Sequence, residues 1–239
     1  MLWYKAWLET RTRFLVCLVT ITAFCAFYVH LTLDLPHVGA TKVHDIYYYR
    51  VLFLAHDYVV ALWVICVVLM GMGGIVREKA NGVSSFTLAL PVSRLKLILA
   101  RAGLGCAEAI VLGAVPWIAI TTMVSSRSHV PWMQFWLYFA PAFIGGLIFY
   151  AMSLFVSTAI EGEYTAPVAA FAVAYAMTFS WAPPPSHYSL FRLMQGVFNL
   201  DPRTFLMAGS TPWMGIVASL CGAMIMVFAS AMIAQRREF

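Results

Sequence analysis

Arg77-Glu78-Lys79-Ala80-Asn81-Gly82-Val83-Ser84-Ser85-Phe86-Thr87-Leu88-Ala89-Leu90-Pro91-Val92-Ser93-Arg94 is the stretch on which the reading of this chain turns. It is a polar interruption, dense in positive charge, between two long apolar segments. Gly82 takes backbone angles that other residues avoid, so it suits a sharp exit from the preceding helix. Val83 to Leu90 is a short amphipathic piece, with Phe86 and Leu90 four apart on one face. Pro91 ends it by pushing Leu90 away from helical geometry. Ser93 then fits the N-cap of the next helix. The stretch therefore predicts a small transverse helix at a membrane surface, held by the spans on either side.

Composition sets that surface in a membrane. Of 239 residues, 62% are hydrophobic and only 10% charged. A soluble domain is about half apolar and about a quarter charged. The expected fold class is an all-α integral membrane protein. The net charge of +5 comes from basic residues in short loops, not from a stripe or arm, so nucleic acid is excluded as a partner. Cys17, Cys25, Cys66, Cys106 and Cys221 all fall in apolar runs without a CxxC pair. They read as packing residues rather than as a metal or disulfide framework.

Outward from the stretch, six spans are expected, at about 14–33, 58–76, 95–124, 132–159, 164–181 and 212–234. Residues 1–13, with Trp3 and Trp7 beside Lys5 and Glu9, suit a helix lying in the interface ahead of the first span. Asp34 to Asp57 reads as an outer loop with an aromatic belt at Tyr47, Tyr48 and Tyr49. The fourth span is longer than a crossing needs, so it tilts or kinks at Pro141. The segment 182–211 opens on Pro183-Pro184-Pro185 and is too interrupted to cross; it lies on or dips into the outer leaflet. With both termini inside, the inner side holds Lys5, Arg11, Arg13, Arg77, Lys79, Arg94, Lys96, Arg101, Arg236 and Arg237. The outer side holds Lys42, Arg50, Arg127, Arg192 and Arg203. That excess supports cytoplasmic termini by the positive-inside rule.

The stretch resembles the cytoplasmic coupling loop of ABC-transporter permeases of the ABC-2 type. The residues that carry the resemblance are Glu78, Lys79, Gly82, Phe86, Leu88, Leu90, Pro91, Val92, Ser93, Arg94 and Arg101. Val83 stands where the family usually has Thr, and Ser85 where it usually has an acidic residue. The resemblance implies a coupling helix between the second and third spans, with Arg77 to Arg94 docking an ATPase. It also implies an N-terminal elbow helix and outer surface or re-entrant helices between the fifth and sixth spans. The implied partners are a cytoplasmic ABC ATPase, which carries the ATP and Mg, and a second permease subunit, identical or paralogous. Membrane lipid surrounds them, and the implied location is a bacterial cytoplasmic (inner) membrane. An ordinary charged loop is the alternative.

The chain's own motifs agree with a division of labour. No glycine precedes Lys5, Lys42, Lys79 or Lys96, so no phosphate-cradling loop is encoded. ATP hydrolysis is expected on a separate polypeptide, and the chain itself is expected to be neither an enzyme nor a cofactor binder. No HExxH or G-x-S-x-G motif supports a protease or lipase.

Glu108 is the one carboxylate read as deep in a span. It is either a gate or substrate contact, or one half of a structural pair with Arg101 two turns away or with another helix. Tyr188, Phe191 and Phe198 in the outer segment are further pathway candidates. The histidines lie toward the outer side. Among them His37, His44 and His56 are weak metal candidates, because none shares recognised ligand spacing and polar residues collect at interfaces anyway. The reading is a permease subunit of an ATP-driven exporter, working as a dimer. Two other classes stay open: an accessory, non-transporting partner of an ATPase or protease, and a channel or secondary transporter.

Overall fold

The computed structural model describes residues 2–33, 41–72, 94–126, 129–160, 165–178, 190–196, 200–201, 203–207 and 209–236. Outside them lie Arg77, Glu78, Lys79, Gly82, Phe86, Leu88, Leu90, Pro91 and Ser93, together with His37, Tyr188 and Phe198. The side chains of His44 and Arg94 are outside the described set too.

The described chain is helical, with no strand among its residues. Helices α1 (Leu2–Leu33), α2 (Thr41–Gly71) and α3 (Arg94–Ser125) come first. Then α4 (Trp132–Phe139) passes through a wide turn at Ala140–Ile144 into α5 (Leu147–Ala159). They are followed by α6 (Thr165–Thr178), α7 (Leu190–Gln195) and α8 (Trp213–Arg236). Among the described residues, five helices are long and apolar enough to cross a membrane: Leu2–Thr32, Tyr47–Gly71, Leu95–Ser125, Trp132–Ala159 and Trp213–Arg236. That is compatible with a multi-pass membrane protein. Of the expected fifth span, 164–181, the described part is α6, whose apolar portion Thr165–Met177 is shorter than the other five.

Two boundaries differ from expectation for one reason. Neither 2–33 nor 41–70 contains a glycine or proline, so nothing interrupts the backbone ladder. The N-terminal piece at 1–13 is therefore not set off as an elbow; α1 runs unbroken from Leu2. Likewise α2 begins at Thr41, inside the expected outer loop, and ends at Gly71. Tyr48, Leu52, Ala55, Val59 and Trp63 are buried along it at helical spacing. The polar residues of 42–57 decorate a helix rather than a loop. At Pro141 the helix changes its hydrogen-bond pattern. Proline has no amide hydrogen to donate, and the turn widens until the Gly145 amide bonds the Ala140 carbonyl at 3.1 Å.

Packing centres on α3. It runs along α1 on one side and touches α2, α5 and α8, while α8 lies along α5. Its glycines make this approach possible. A Cβ on Gly105 would fall 1.9 Å from the Tyr150 hydroxyl, and one on Gly113 would fall 2.3 Å from the Phe143 ring. The interior is aromatic, with Trp63, Trp117, Tyr138, Phe143 and Phe149 fully buried. Both indoles are satisfied, Trp63 Nε1 donating to the Ala109 carbonyl at 2.7 Å and Trp117 Nε1 to that of Phe135 at 3.3 Å.

Gly105→Ala is expected to cost about 1–3 kcal/mol by overpacking against Tyr150. Thermal unfolding of the detergent-solubilised protein should show a lower Tm, and the drop caused by Gly105→Ala should be smaller in a Tyr150→Ala background than in the wild type. Equal drops in the two backgrounds would mean that the ring is not the obstacle.

Candidate functional site

A polar cluster at the N-terminal end of α1 joins it to α3. Arg101 Nη2 meets Glu9 Oε2 at 2.6 Å, and Lys5 lies 3.7 Å from the other oxygen of Glu9. Thr10 Oγ1 donates to Glu108 Oε1 at 2.5 Å. Arg101 therefore pairs with Glu9 on another helix and not with Glu108, which corrects one of the two structural pairings expected for Glu108. The second carboxyl oxygen of Glu108 is buried and accepts no hydrogen bond from the described residues. A carboxyl with one bonded and one open oxygen can take a proton, a cation or a polar group of a passing solute.

The contacts also set the level of Glu108 against α1. Trp3 rests on Gly103 and Thr10 bonds Glu108, so α1 and α3 run side by side in the same direction. Glu108 thus lies level with Thr10, ahead of the apolar run that starts at Phe14. At the far end, Tyr47 donates to the Thr32 carbonyl at 2.7 Å and Tyr49 to that of His129 at 3.0 Å. Thr10 to Thr32 spans roughly 33 Å of helix, about the full hydrocarbon thickness. Along α1, Glu108 is level with the N-terminal side of that length, while along α3 it stands near the middle of Arg94–Ser125.

The two ends of the segment between α2 and α3 are tied down. Ser153 Oγ donates to the Val68 carbonyl at 2.6 Å, and Ser157 Oγ lies 3.2 Å from that of Gly71. Across the gap, Tyr150 donates to the Arg101 carbonyl at 3.1 Å. Ile98 packs with Ala231 and Ala234 at the end of α8. The serines and Tyr150 were not among the residues singled out from the sequence. Their spacing on α5 at 150, 153 and 157 marks one helical face, which is the signal that would have found them.

At the opposite end, the described residues among 190–207 are latched onto the bundle. Gln195 Nε2 donates to Asp57 Oδ1 at 2.5 Å. Gln134 makes two bonds to one residue, donating to the Met207 carbonyl at 3.0 Å and accepting from its amide at 2.9 Å. Tyr138 donates to the Phe205 carbonyl at 3.3 Å, and the Phe205 ring lies beside Phe53 and under the Arg50 guanidinium. Within the turn, Asp201 accepts the Arg203 amide and the Thr204 hydroxyl, both at 2.9 Å. Those donors, the amide first, hold its carboxyl below the usual carboxylate range. Phe205 takes a φ of 56°, a left-handed conformation stabilised by these surrounding contacts. Of the pathway candidates here, Phe191 is partly buried against the core.

Of the histidine candidates, His56 is described. It is fully buried among Trp117, Tyr138 and Phe143, with ring centroids 5.1, 4.7 and 6.4 Å away. Among the described residues no group of three His, Cys, Asp or Glu comes together in a way that could hold a metal ion.

Two substitutions rank these ties. Glu9→Gln leaves a buried guanidinium without its carboxylate and should cost about 1–3 kcal/mol, whereas Lys5→Gln should cost under about 0.5 kcal/mol, as exposed pairs do. Unfolding midpoints in detergent read both, and equal effects would overturn the ranking. Separately, Gln134→Ala should speed hydrogen exchange of the Met207 amide by about tenfold or more, since both bonds anchoring that residue are lost.

Searches against protein-family models and curated proteins find no match for this chain.

Proposed function

We propose that this chain is the membrane-spanning subunit of an ATP-driven exporter of the ABC-2 type. The observation that carries the reading is mechanical. The segment between α2 and α3 leaves and rejoins the bundle through helix ends held by Ser153, Ser157, Tyr150 and the Arg101–Glu9 pair. A short helix suspended between such ends transmits a push instead of absorbing it. Arg77, Glu78, Lys79 and Arg94 supply charges for docking a cytoplasmic ATPase, and Phe86, Leu88 and Leu90 supply its apolar face. Both termini then lie in the cytoplasm, and residues 164–181 make the sixth crossing.

On this reading a pair of subunits encloses the pathway, because a handful of close-packed helices leaves little room for a solute. ATP and Mg stay on the partner. Glu108, level with Thr10, meets the solute or the moving helix near the cytoplasmic entrance. The latched outer segment caps the exit until motion from the ATPase loosens it.

Glu78→Ala and Arg94→Ala should each leave membrane insertion intact and lower ATP-dependent transport at least about tenfold in vesicles containing the ATPase, with hydrolysis continuing. Unchanged transport by both variants sinks the docking assignment. A chain that binds the ATPase stably and moves no solute belongs instead to the accessory class.

A further inference from the structure

α1 carries a stripe that the fold leaves open toward the membrane. Tyr4, Leu8, Leu15 and Val19 are 68%, 39%, 50% and 65% exposed. Their spacings of four, seven and four put them on one helix face. Arg11 fills the gap of seven, three residues after Leu8 and four before Leu15, and it too is exposed. It makes no ion pair or side-chain hydrogen bond with the described residues. The nearby carboxylates are engaged with other groups, Glu9 with Arg101 and Lys5, and Glu108 with Thr10.

Depth decides what such an arginine meets. Arg11 follows Thr10, which stands roughly 33 Å of helix from the tyrosine belt, so Arg11 lies where hydrocarbon gives way to headgroups. Leu15 and Val19 face acyl chains on one side of it, and Tyr4 and Leu8 face the interface on the other. A guanidinium in that position is costly without an anion, and phospholipid phosphate is the anion concentrated at that depth. The planar guanidinium fork binds phosphate oxygens in pairs. Around it, Lys5, Arg11 and Arg13 outnumber Glu9, so the local field favours a headgroup with net negative charge.

We infer that Arg11 holds the phosphate of an anionic phospholipid in the leaflet on the N-terminal side of the bundle, with its acyl chains along Leu15 and Val19. The inference rests on the membrane-spanning fold and does not depend on the exporter reading.

The test uses the full chain in nanodiscs of mixed phosphatidylglycerol and phosphatidylcholine, with retained lipid read by native mass spectrometry. The wild type should retain phosphatidylglycerol preferentially. Arg11→Gln should weaken that retention about fivefold, the effect of one cation at an anionic surface. Arg11→Lys should keep part of it, and raised salt should weaken it. Arg203→Gln, at the opposite end of the molecule, should leave retention unchanged. Equal retention by wild type and Arg11→Gln, equal retention of both lipids by the wild type, or the same loss in Arg203→Gln would each overturn the assignment.

Discussion

Close approach of α3 to its neighbours is the constraint from which the rest of the bundle follows. Between helices in lipid, burying apolar surface gains little, because the acyl chains are as apolar as the side chains. Association then depends on fit. Gly103 receives the Trp3 ring, Gly105 the Tyr150 hydroxyl and Gly113 the Phe143 ring. Each contact places a bulky group where any Cβ would collide. Together they set α3 in one position relative to both α1 and α5, and that position aligns Thr10 with Glu108 and Tyr150 with the Arg101 carbonyl.

The polar interactions take their locations from the same requirement. Backbone groups inside hydrocarbon are satisfied within helices, so side-chain polarity is spent where helices end or widen. Gln134 holds Met207 at the far end of the bundle, and Ser219 donates to the Gly145 carbonyl beside the widened turn at Pro141. Ser153 and Ser157 sit at the end of α2, and Arg101 with Glu9 sits where α3 enters. The middle of the bundle is aromatic, and even His56 is enclosed there by rings. The result is a stiff centre with polar attachments at its two ends.

The charged groups of α1 illustrate how one helix serves two environments. Glu9 turns toward α3 and takes up Arg101, while Arg11, two residues on, turns to the open face. A step of two residues rotates a helix by more than half a turn, so sequence neighbours of opposite charge address different partners. The length of α1 places both at the same margin, where one neutralises a buried cation and the other faces headgroups.

The amino-acid sequence by itself determined that the chain is helical and built for a membrane. The long apolar runs of α1, α3, α4–α5 and α8 are each long enough to cross a bilayer, where backbone hydrogen bonds must close internally. It also determined that Pro141 interrupts a span, since the missing amide is a local property. Helix starts were less legible. The charges and tyrosines of 42–57 resemble a loop until burial at Tyr48, Leu52 and Ala55 reveals their helical face. Only the tertiary structure decided that Arg101 belongs to Glu9, that Glu108 lies level with Thr10, and that Gln134 and Met207 meet at the far end of the bundle. Pairing and depth depend on the register between helices. That register is set by which rings fit over which glycines, a three-dimensional match that no periodicity within a single segment encodes.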